Sequence, residues 1–265
     1  MCRLTTPSAA GAILALVCIS LSSCVLSNAE AVQAPSSLPP ELSIEEHALK
    51  EGPELEPLRF VPVKGTEEEI LSKHQEKRAS SPRSPCRHEC EASLGDARLT
   101  ASTYVTETSG GRRVMAEVSR GEGVIHSLDL GDPCAIPPLW GLWTYDGHWV
   151  LEAARVKARR EGRAITCDPA GQIVRDGESL NEQHGYQESF GFQLLDDKPF
   201  YFFKRRGQVW MSYDGREIPL GYTHVSHYQC CSGAAVNVRS SSKMVAFFAS
   251  DDSGTRYYVE IGVFE

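Results

Sequence analysis

The chain has 265 residues, a formal net charge of −8 at pH 7 and 23% charged residues. This length accommodates one sizeable domain with extensions. The acidic balance argues against nucleic acid as a partner, because proteins that bind nucleic acid present basic surfaces.

Residues 1–23 have the pattern of a secretory signal peptide. Arg3 precedes an apolar run from Ala9 to Leu21, which is shorter than the roughly 20 apolar residues that a membrane-spanning helix needs. A positive start, a short apolar region and small residues are typical of an export signal that is removed. The sequence therefore predicts a protein that works outside the cytoplasm.

The end of this signal contains a candidate lipidation site. Leu21-Ser22-Ser23-Cys24 resembles the lipobox of bacterial lipoproteins, in which an aliphatic residue and two small residues precede a cysteine. The resemblance implies that Cys24 carries a lipid that anchors the mature protein to a bacterial membrane. Cleavage after Ser27-Asn28-Ala29 is the alternative, and it would release a secreted protein.

Residues 24–95 differ in composition from the rest of the chain. They are rich in proline and glutamate and almost free of aromatic residues. Such a segment buries too little apolar surface to offset the entropy of ordering. We expect a flexible, disordered tether, in which the capping-box spacings at Ser43–Glu46 and Thr66–Glu69 predict two marginal helices.

Residues 96–265 predict a β-rich globular domain. Runs of β-branched and aromatic residues are separated by turn signals such as Asp146-Gly147 and Asp214-Gly215. Helical periodicity occurs only at Leu151–Arg160. The predicted strands are Leu99–Val105, Arg113–Val118, Val124–Leu128, Gly141–Tyr145, Trp149–Ala153, Ala164–Cys167, Gln172–Val174, Phe190–Leu195, Phe200–Phe203, Gln208–Tyr213, Glu217–Leu220, Met244–Ala249 and Tyr257–Val263.

The fold class that this pattern predicts is all-β and antiparallel. Phe202-Phe203 and Phe247-Phe248 each lead through a glycine-containing turn to a second aromatic strand. Their separation is roughly that of one propeller blade. The alternatives are therefore a sandwich or open barrel and a small propeller-like array of hairpins.

Nine cysteines occur in the chain, of which Cys2, Cys18 and Cys24 belong to the predicted signal. An even number of remaining cysteines in an oxidising compartment indicates disulfide bonds. The sequence does not choose among their pairings. The candidates are Cys86, Cys90, Cys134, Cys167, Cys230 and Cys231.

The segment from His224 to Cys231 is a possible metal site. Imidazole and thiolate ligands at short spacing suit zinc, and the set would be His224, His227, Cys230 and Cys231. The spacing matches no standard zinc pattern, however, and on a strand the two histidines would point to opposite faces. We therefore expect no metal and no cofactor, and retain this set as the alternative.

An aromatic segment offers the candidate ligand-binding residues. Trp140, Trp143, Tyr145 and Trp149 lie within ten residues, and exposed aromatic rings suit sugars or protein hot spots. The alternative is that these rings belong to the core, since tryptophan is highly buried on average.

Evidence for catalysis is weak in this sequence. It contains no nucleophile elbow, phosphate-binding loop or zinc-protease helix motif, so the catalytic residues are unknown. A pair of carboxylates in the manner of glycosidases would come from Glu152, Asp176, Glu178, Glu182 and Glu188. The basic clusters at 157–160 and 204–206 are expected to be solvated hairpin tips.

The leading hypothesis is an anchored, non-catalytic binding module whose partner is an envelope protein or a carbohydrate. The absence of a catalytic motif, the predicted anchor and the β-rich domain favour it. Two alternatives remain open: an extracytoplasmic hydrolase that acts on saccharides, and a metal-binding envelope protein.

Overall fold

The computed structural model describes residues 38–49, 86, 88–162, 164–229 and 237–263. Its elements are nearly all β-strands, paired almost throughout in antiparallel sheets, which confirms the predicted fold class. Within these residues the sole helix, α1 (Leu180–His184), has five residues. No helix in the described part of the chain is therefore long and apolar enough to span a membrane.

The largest sheet has eight strands in the order β2-β3-β4-β5-β7-β8-β9, with β6 paired to β7. It curls so that its ends approach each other: the Thr144 hydroxyl donates to the Ser93 carbonyl oxygen at 2.7 Å. The curled face encloses Leu99, Val118 and Leu151. The strands are β2 (Glu89–Leu94), β3 (Ala97–Thr108), β4 (Gly111–Arg120), β5 (Gly123–Gly131), β6 (Leu139–Tyr145), β7 (His148–Glu161), β8 (Ala164–Arg175) and β9 (Glu178–Ser179).

Two smaller sheets share the second core with the outer face of β7. One is a four-stranded meander, β10-β11-β12-β13, and the other has five strands in the order β1-β17-β16-β14, with β15 on β16. The Phe202 and Phe247 rings meet in this core at 4.8 Å between centroids. The strands are β10 (Glu188–Leu195), β11 (Lys198–Arg205), β12 (Gln208–Tyr213), β13 (Arg216–Pro219), β14 (His224–Val225), β15 (Arg239–Ser240), β16 (Met244–Ser250), β17 (Arg256–Gly262) and β1 (Ser43–Leu49).

The internal repeat corresponds to two similar hairpins. Phe202-Phe203 lies on β11 and Phe247-Phe248 on β16, and each strand turns into the next aromatic strand, β12 or β17. Each hairpin therefore occupies the centre of its own sheet. The similarity in sequence reflects two copies of the same local arrangement.

The helix predicted at Ser43–Glu46 is wrong, because these residues belong to strand β1. All seven of its residues pair with β17, from Ser43 opposite Gly262 to Leu49 opposite Arg256. The main-chain groups on the open edge of β17 provide ladder hydrogen bonds that outweigh a weak capping signal. Strands β1 and β2 both lie within the segment predicted as a tether, whereas Thr66–Glu69 lies outside the described residues.

The helical periodicity of Leu151–Arg160 does not correspond to a helix, because these residues form β7. Both faces of β7 are buried from Trp149 to Ala154: Leu151 faces the curled core, and Ala154 faces the second core, as does Val156 further along. A strand buried on both sides loses the apolar–polar alternation by which a strand is recognised.

Two of the expected disulfide bonds are formed. Cys86 pairs with Cys90, with a Cα–Cα distance of 5.3 Å, and Cys134 pairs with Cys167 at 6.5 Å. Cys230 and Cys231 lie outside the described residues. Disulfide-bonded cysteines fit a protein that works outside the cytoplasm.

Candidate functional site

Six aromatic side chains form a continuous series across two sheets, which we call the aromatic row. Neighbouring ring centroids lie 5.2 Å apart for Trp143 and Phe192, and 6.0 to 6.5 Å apart for the other contacts. The row bridges the edge of the curled sheet and one face of the four-stranded sheet. Its members are Tyr145, Trp143, Phe192, Tyr201, Phe203 and Trp210.

The members of the row differ in burial. Phe192 and Phe203 are buried, whereas Trp143, Tyr145, Tyr201 and Trp210 are half-buried. The two phenylalanines therefore fix the positions of the rings beside them. Trp143, Tyr145 and Tyr201 are therefore the rings that present apolar surface with a polar edge, since the Trp210 indole nitrogen is buried without a hydrogen-bond partner.

A bulge in β6 directs Trp143 and Tyr145 into the row. The pairing register with β7 shifts between Leu139 and Gly141, so that Leu139 and Leu142 both face the curled core. The Trp143 indole folds back over Gly141, where any Cβ would overlap the ring. Glycine at this position is therefore required for the observed orientation of Trp143.

The four aromatic residues predicted as ligand-binding candidates lie in three different environments. Trp149 is buried in the curled core, at 6% exposure. Trp140 packs against the Tyr228 ring at 4.6 Å, and its indole N–H donates to the Pro137 carbonyl oxygen at 2.8 Å. Trp143 and Tyr145 thus belong to the row, whereas Trp149 lies in the curled core and Trp140 is half-buried against Tyr228.

One end of the row lies beneath a guanidinium group. The Arg205 guanidinium carbon is 5.1 Å from the Phe203 ring centroid and 5.7 Å from that of Trp210. Its two terminal nitrogens donate to Glu217 at 2.7 and 3.0 Å. Arg205 is at the tip of the β11–β12 hairpin as expected, but it is stacked and ion-paired rather than simply solvated.

Glu217 also accepts a hydrogen bond from the Tyr186 hydroxyl at 2.5 Å. Burial alone would raise the pKa of Glu217, but the hydrogen bonds from Arg205 and Tyr186 outweigh it and lower that pKa. Burial and the contact with Glu217 raise the pKa of Tyr186 above its ordinary range. Tyr186 therefore keeps its proton and Glu217 its charge at neutral pH.

The other end of the row carries an exposed cation. In the strand register Trp143 lies opposite Val150, and Val150 lies opposite Arg175 on β8. A hydrogen bond to Tyr145 raises the pKa of Arg175, which remains charged. Arg175 thus extends from the same sheet face as the half-buried rings.

Behind the row lies a buried carboxylate, Glu152, which is 3% exposed. It accepts hydrogen bonds from the backbone N–H groups of Gly191 and Phe192 at 2.9 and 2.7 Å, and from the Tyr228 hydroxyl at 2.7 Å. The two N–H groups come from a bulge in β10, where the ladder register shifts between Phe190 and Gln193.

Burial raises the pKa of Glu152, and its three donors oppose that effect. A carboxylate enclosed in this way satisfies groups that the bulge removes from the ladder. We therefore interpret Glu152 as a structural group that holds the bulge, not as an acid facing a substrate.

His227 and Glu188 form a second nearly buried pair. His227 Nδ1 lies 2.7 Å from the Val225 carbonyl oxygen, and Nε2 lies 3.2 Å from Glu188 Oε2. A carbonyl oxygen and a carboxylate both accept hydrogen bonds, so each ring nitrogen of His227 faces an acceptor. Burial raises the pKa of Glu188, but the hydrogen bond from His227 outweighs it and lowers that pKa.

The same contacts bear on the alternative metal site. Both ring nitrogens of His227 face acceptors, and its ring centroid is 6.4 Å from that of His224. Cys230 and Cys231 lie outside the described residues. In the part of the chain that the structure describes, no cluster of three or more histidine, cysteine or acidic residues has the arrangement of a metal site.

The remaining candidate acids are Asp176, Glu178 and Glu182, and each has a different role. Asp176 accepts hydrogen bonds from the Trp149 backbone N–H at 3.0 Å and contacts His148 Nδ1 at 2.5 Å. Glu178 accepts a hydrogen bond from Gln183, and Glu182 is exposed in the first turn of α1. Each has a local role in a turn or at a helix end.

The sequence alone did not predict most members of the aromatic row. Tyr201 and Phe203 lie on one face of β11, with Phe200 and Phe202 on the other. The aromatic run at 200–203 predicts a strand with two buried faces. It does not show which face of β11 lies beside Trp143, a residue of a different sheet.

A scan against models of protein families found none that matches this chain, and a search of curated proteins found no match either.

Proposed function

We propose that this protein is a non-catalytic binding module that recognises carbohydrate through the aromatic row. The observation that carries the proposal is the series of half-buried rings, Trp143, Tyr145 and Tyr201, supported from behind by buried Phe192. Sugar rings have apolar faces that stack on aromatic side chains, and consecutive rings of an extended glycan can contact consecutive side chains.

Polar groups around the row supply the second requirement of a sugar site. Arg175 offers guanidinium donors at one end, and the Arg205–Glu217 pair offers donors and acceptors at the other. Binding sites for small ligands combine apolar surface with a few polar groups in fixed positions. Glycan hydroxyl groups would hydrogen-bond to these groups while the sugar faces stack on the rings.

We further propose that the module acts at the surface of a bacterial membrane. Two disulfide bonds support a site of action outside the cytoplasm, and the lipobox resemblance supports a lipid on Cys24. The Pro- and Glu-rich residues after Cys24 would then separate the module from the lipid. This arrangement would hold the aromatic row near envelope glycans.

Titration calorimetry against a panel of envelope and plant glycans tests the proposal. We expect saturable binding of at least one extended glycan and about tenfold weaker binding by Tyr201→Ala, the loss of roughly one stacking contact. Tyr104→Ala on β3 is the matched control, because Tyr104 is 44% exposed and lies outside the row.

Failure of every glycan to bind would reject the carbohydrate proposal, as would binding that both variants weaken equally. Saturable binding of an envelope protein that is lost in Tyr201→Ala would instead assign the row to a protein partner, since aromatic rings are also typical of protein hot spots. Circular dichroism of each variant checks that the fold is retained.

A further inference from the structure

A cavity of about 150 Å³ lies beside Ala154 and Val156 of β7, between the β3–β4 hairpin and the loop that follows β5. Its walls are mainly aliphatic, and none of its lining residues belongs to the aromatic row. The apolar part of the lining is formed by Val105, Val114, Leu130, Ile136, Ala154 and Val156.

The cavity arises where the curled sheet is least continuous. Strands β5 and β7 share a single parallel pair, Gly131 opposite Val156. Gly131 has φ 89°, and a Cβ on it would overlap the Val156 carbonyl group. The strands therefore cross closely at one point and diverge beyond it, and the diverging backbones leave space between their side chains.

The loop that closes one side of this space is held at its start by hydrogen bonds and a disulfide bond. Asp132 accepts hydrogen bonds from an Arg113 guanidinium nitrogen at 3.0 Å and from the Ala158 backbone N–H at 2.8 Å. Cys134, which lines the cavity, is disulfide-bonded to Cys167 on β8. The wall is thus fixed before any ligand arrives, which reduces the entropy lost on binding.

The side chains that line the cavity restrict the class of ligand that it can bind. Both carboxylate oxygens of Asp132 are already hydrogen-bonded, so the main polar groups left at the rim are His88 and Thr103, whose Nδ1 and Oγ1 atoms lie 3.4 Å apart. A charged group would lose its hydration against aliphatic walls without a partner of opposite charge. An apolar cavity of roughly this volume accepts one benzene-sized molecule.

We propose that this cavity binds a small, uncharged molecule with a single ring and one hydrogen-bonding group, of the phenol class. The ring occupies the aliphatic pocket and the hydroxyl group faces His88 and Thr103. This site is independent of the aromatic row in its residues and in the class of its ligand.

Binding of p-cresol to the mature protein, followed by saturation-transfer NMR and a concentration series, tests the proposal. A ligand of this size is expected to bind with a Kd on the order of 1 mM. Val114→Phe fills the cavity from β4 and should weaken binding at least tenfold. Val124→Phe is the matched control, because Val124 is 54% exposed on β5 and does not line the cavity.

A second variant, Val105→Trp, covers the half-exposed mouth without adding volume to the core and is used if Val114→Phe fails to fold. It should weaken p-cresol binding by a similar factor. No saturable binding by the wild-type protein, or equal binding by the filled and control variants, would overturn the proposal. Either result would leave glycan binding at the aromatic row unaffected.

Discussion

The aromatic row and the buried cluster around Glu152 meet at one residue, Phe192, yet they have opposite characters. The Phe192 backbone N–H donates to Glu152, while its ring packs against Trp143 and Tyr201. In the cluster every carboxylate oxygen has a donor, and the groups are buried. In the row four of the six rings, those of Trp143, Tyr145, Tyr201 and Trp210, are half-buried and retain open surface.

This difference separates residues that build the fold from residues available to a ligand. A buried polar group with all its hydrogen bonds satisfied stabilises one conformation and has no bonding capacity left for a substrate. A half-buried ring has apolar surface that a ligand can cover with a gain in free energy. Variants of the cluster should therefore change stability, and variants of the row should change binding.

The largest expected effect is that of Glu152→Ala on stability. The substitution leaves the Tyr228 hydroxyl and two backbone N–H groups buried without an acceptor, and it should lower the free energy of unfolding by about 3–5 kcal/mol. Urea denaturation measures this change. Glu152→Gln keeps one acceptor oxygen and should lower the free energy of unfolding by less than Glu152→Ala does. Equal losses of stability in the two variants would contradict the role assigned to the carboxylate.

The next effect concerns Glu188 and depends on pH. His227 lowers the pKa of Glu188 below its usual 4.5. The pair therefore stabilises the folded protein above pH 4.5, and this stabilisation is lost as the pH falls through the pKa that Glu188 has in the folded protein. Glu188→Gln should therefore be less stable than wild type by about 2 kcal/mol at pH 7, with the difference shrinking below pH 4.5.

Thermal unfolding of wild type and Glu188→Gln across this pH range checks the prediction. Glu182→Gln is a suitable control, because Glu182 is exposed on α1. A stability difference that stays constant from pH 7 to acid would show that the contact between the Glu188 carboxylate and His227 is not the source.

The smallest expected effect is that of Arg175→Gln on the row. The substitution removes a charged donor but retains a polar side chain and all the rings, so glycan affinity should fall about two- to fivefold, with little change in stability. Calorimetric titration with the glycan found in the panel measures it. An affinity loss larger than that of the Tyr201→Ala variant would place the main contact at Arg175 instead of the rings.

The sequence predicted the strands well because most of them follow short-range rules. Alternation and Asp-Gly turns mark hairpins such as β6–β7 and β12–β13 without reference to distant residues. Strand β1 could not be found in this way, since its stability comes from pairing with β17 at the other end of the chain. Its own residues carry a weak signal that favours a helix.

The candidate site was predictable only in part, for a related reason. Bulges change which face a side chain occupies, and the bulge in β6 puts Leu139 and Leu142 on one face while Trp143 lies on the other. The bulge in β10 explains the burial of Glu152, which by sequence is one acid among several. A glycine lies at each bulge, Gly141 in β6 and Gly191 in β10, but a glycine within a strand also marks bends and close approaches, so it does not specify the register.

The most direct test of the central claim is the affinity of Trp143→Ala for the glycan that the wild-type protein binds. Trp143 lies on the row, contacts Phe192 at 5.2 Å between ring centroids and makes no hydrogen bond to the Glu152 carboxylate. We expect about tenfold weaker binding and a smaller loss of stability than in Glu152→Ala. Unchanged affinity in a folded Trp143→Ala protein would contradict the assignment of the aromatic row as the binding surface.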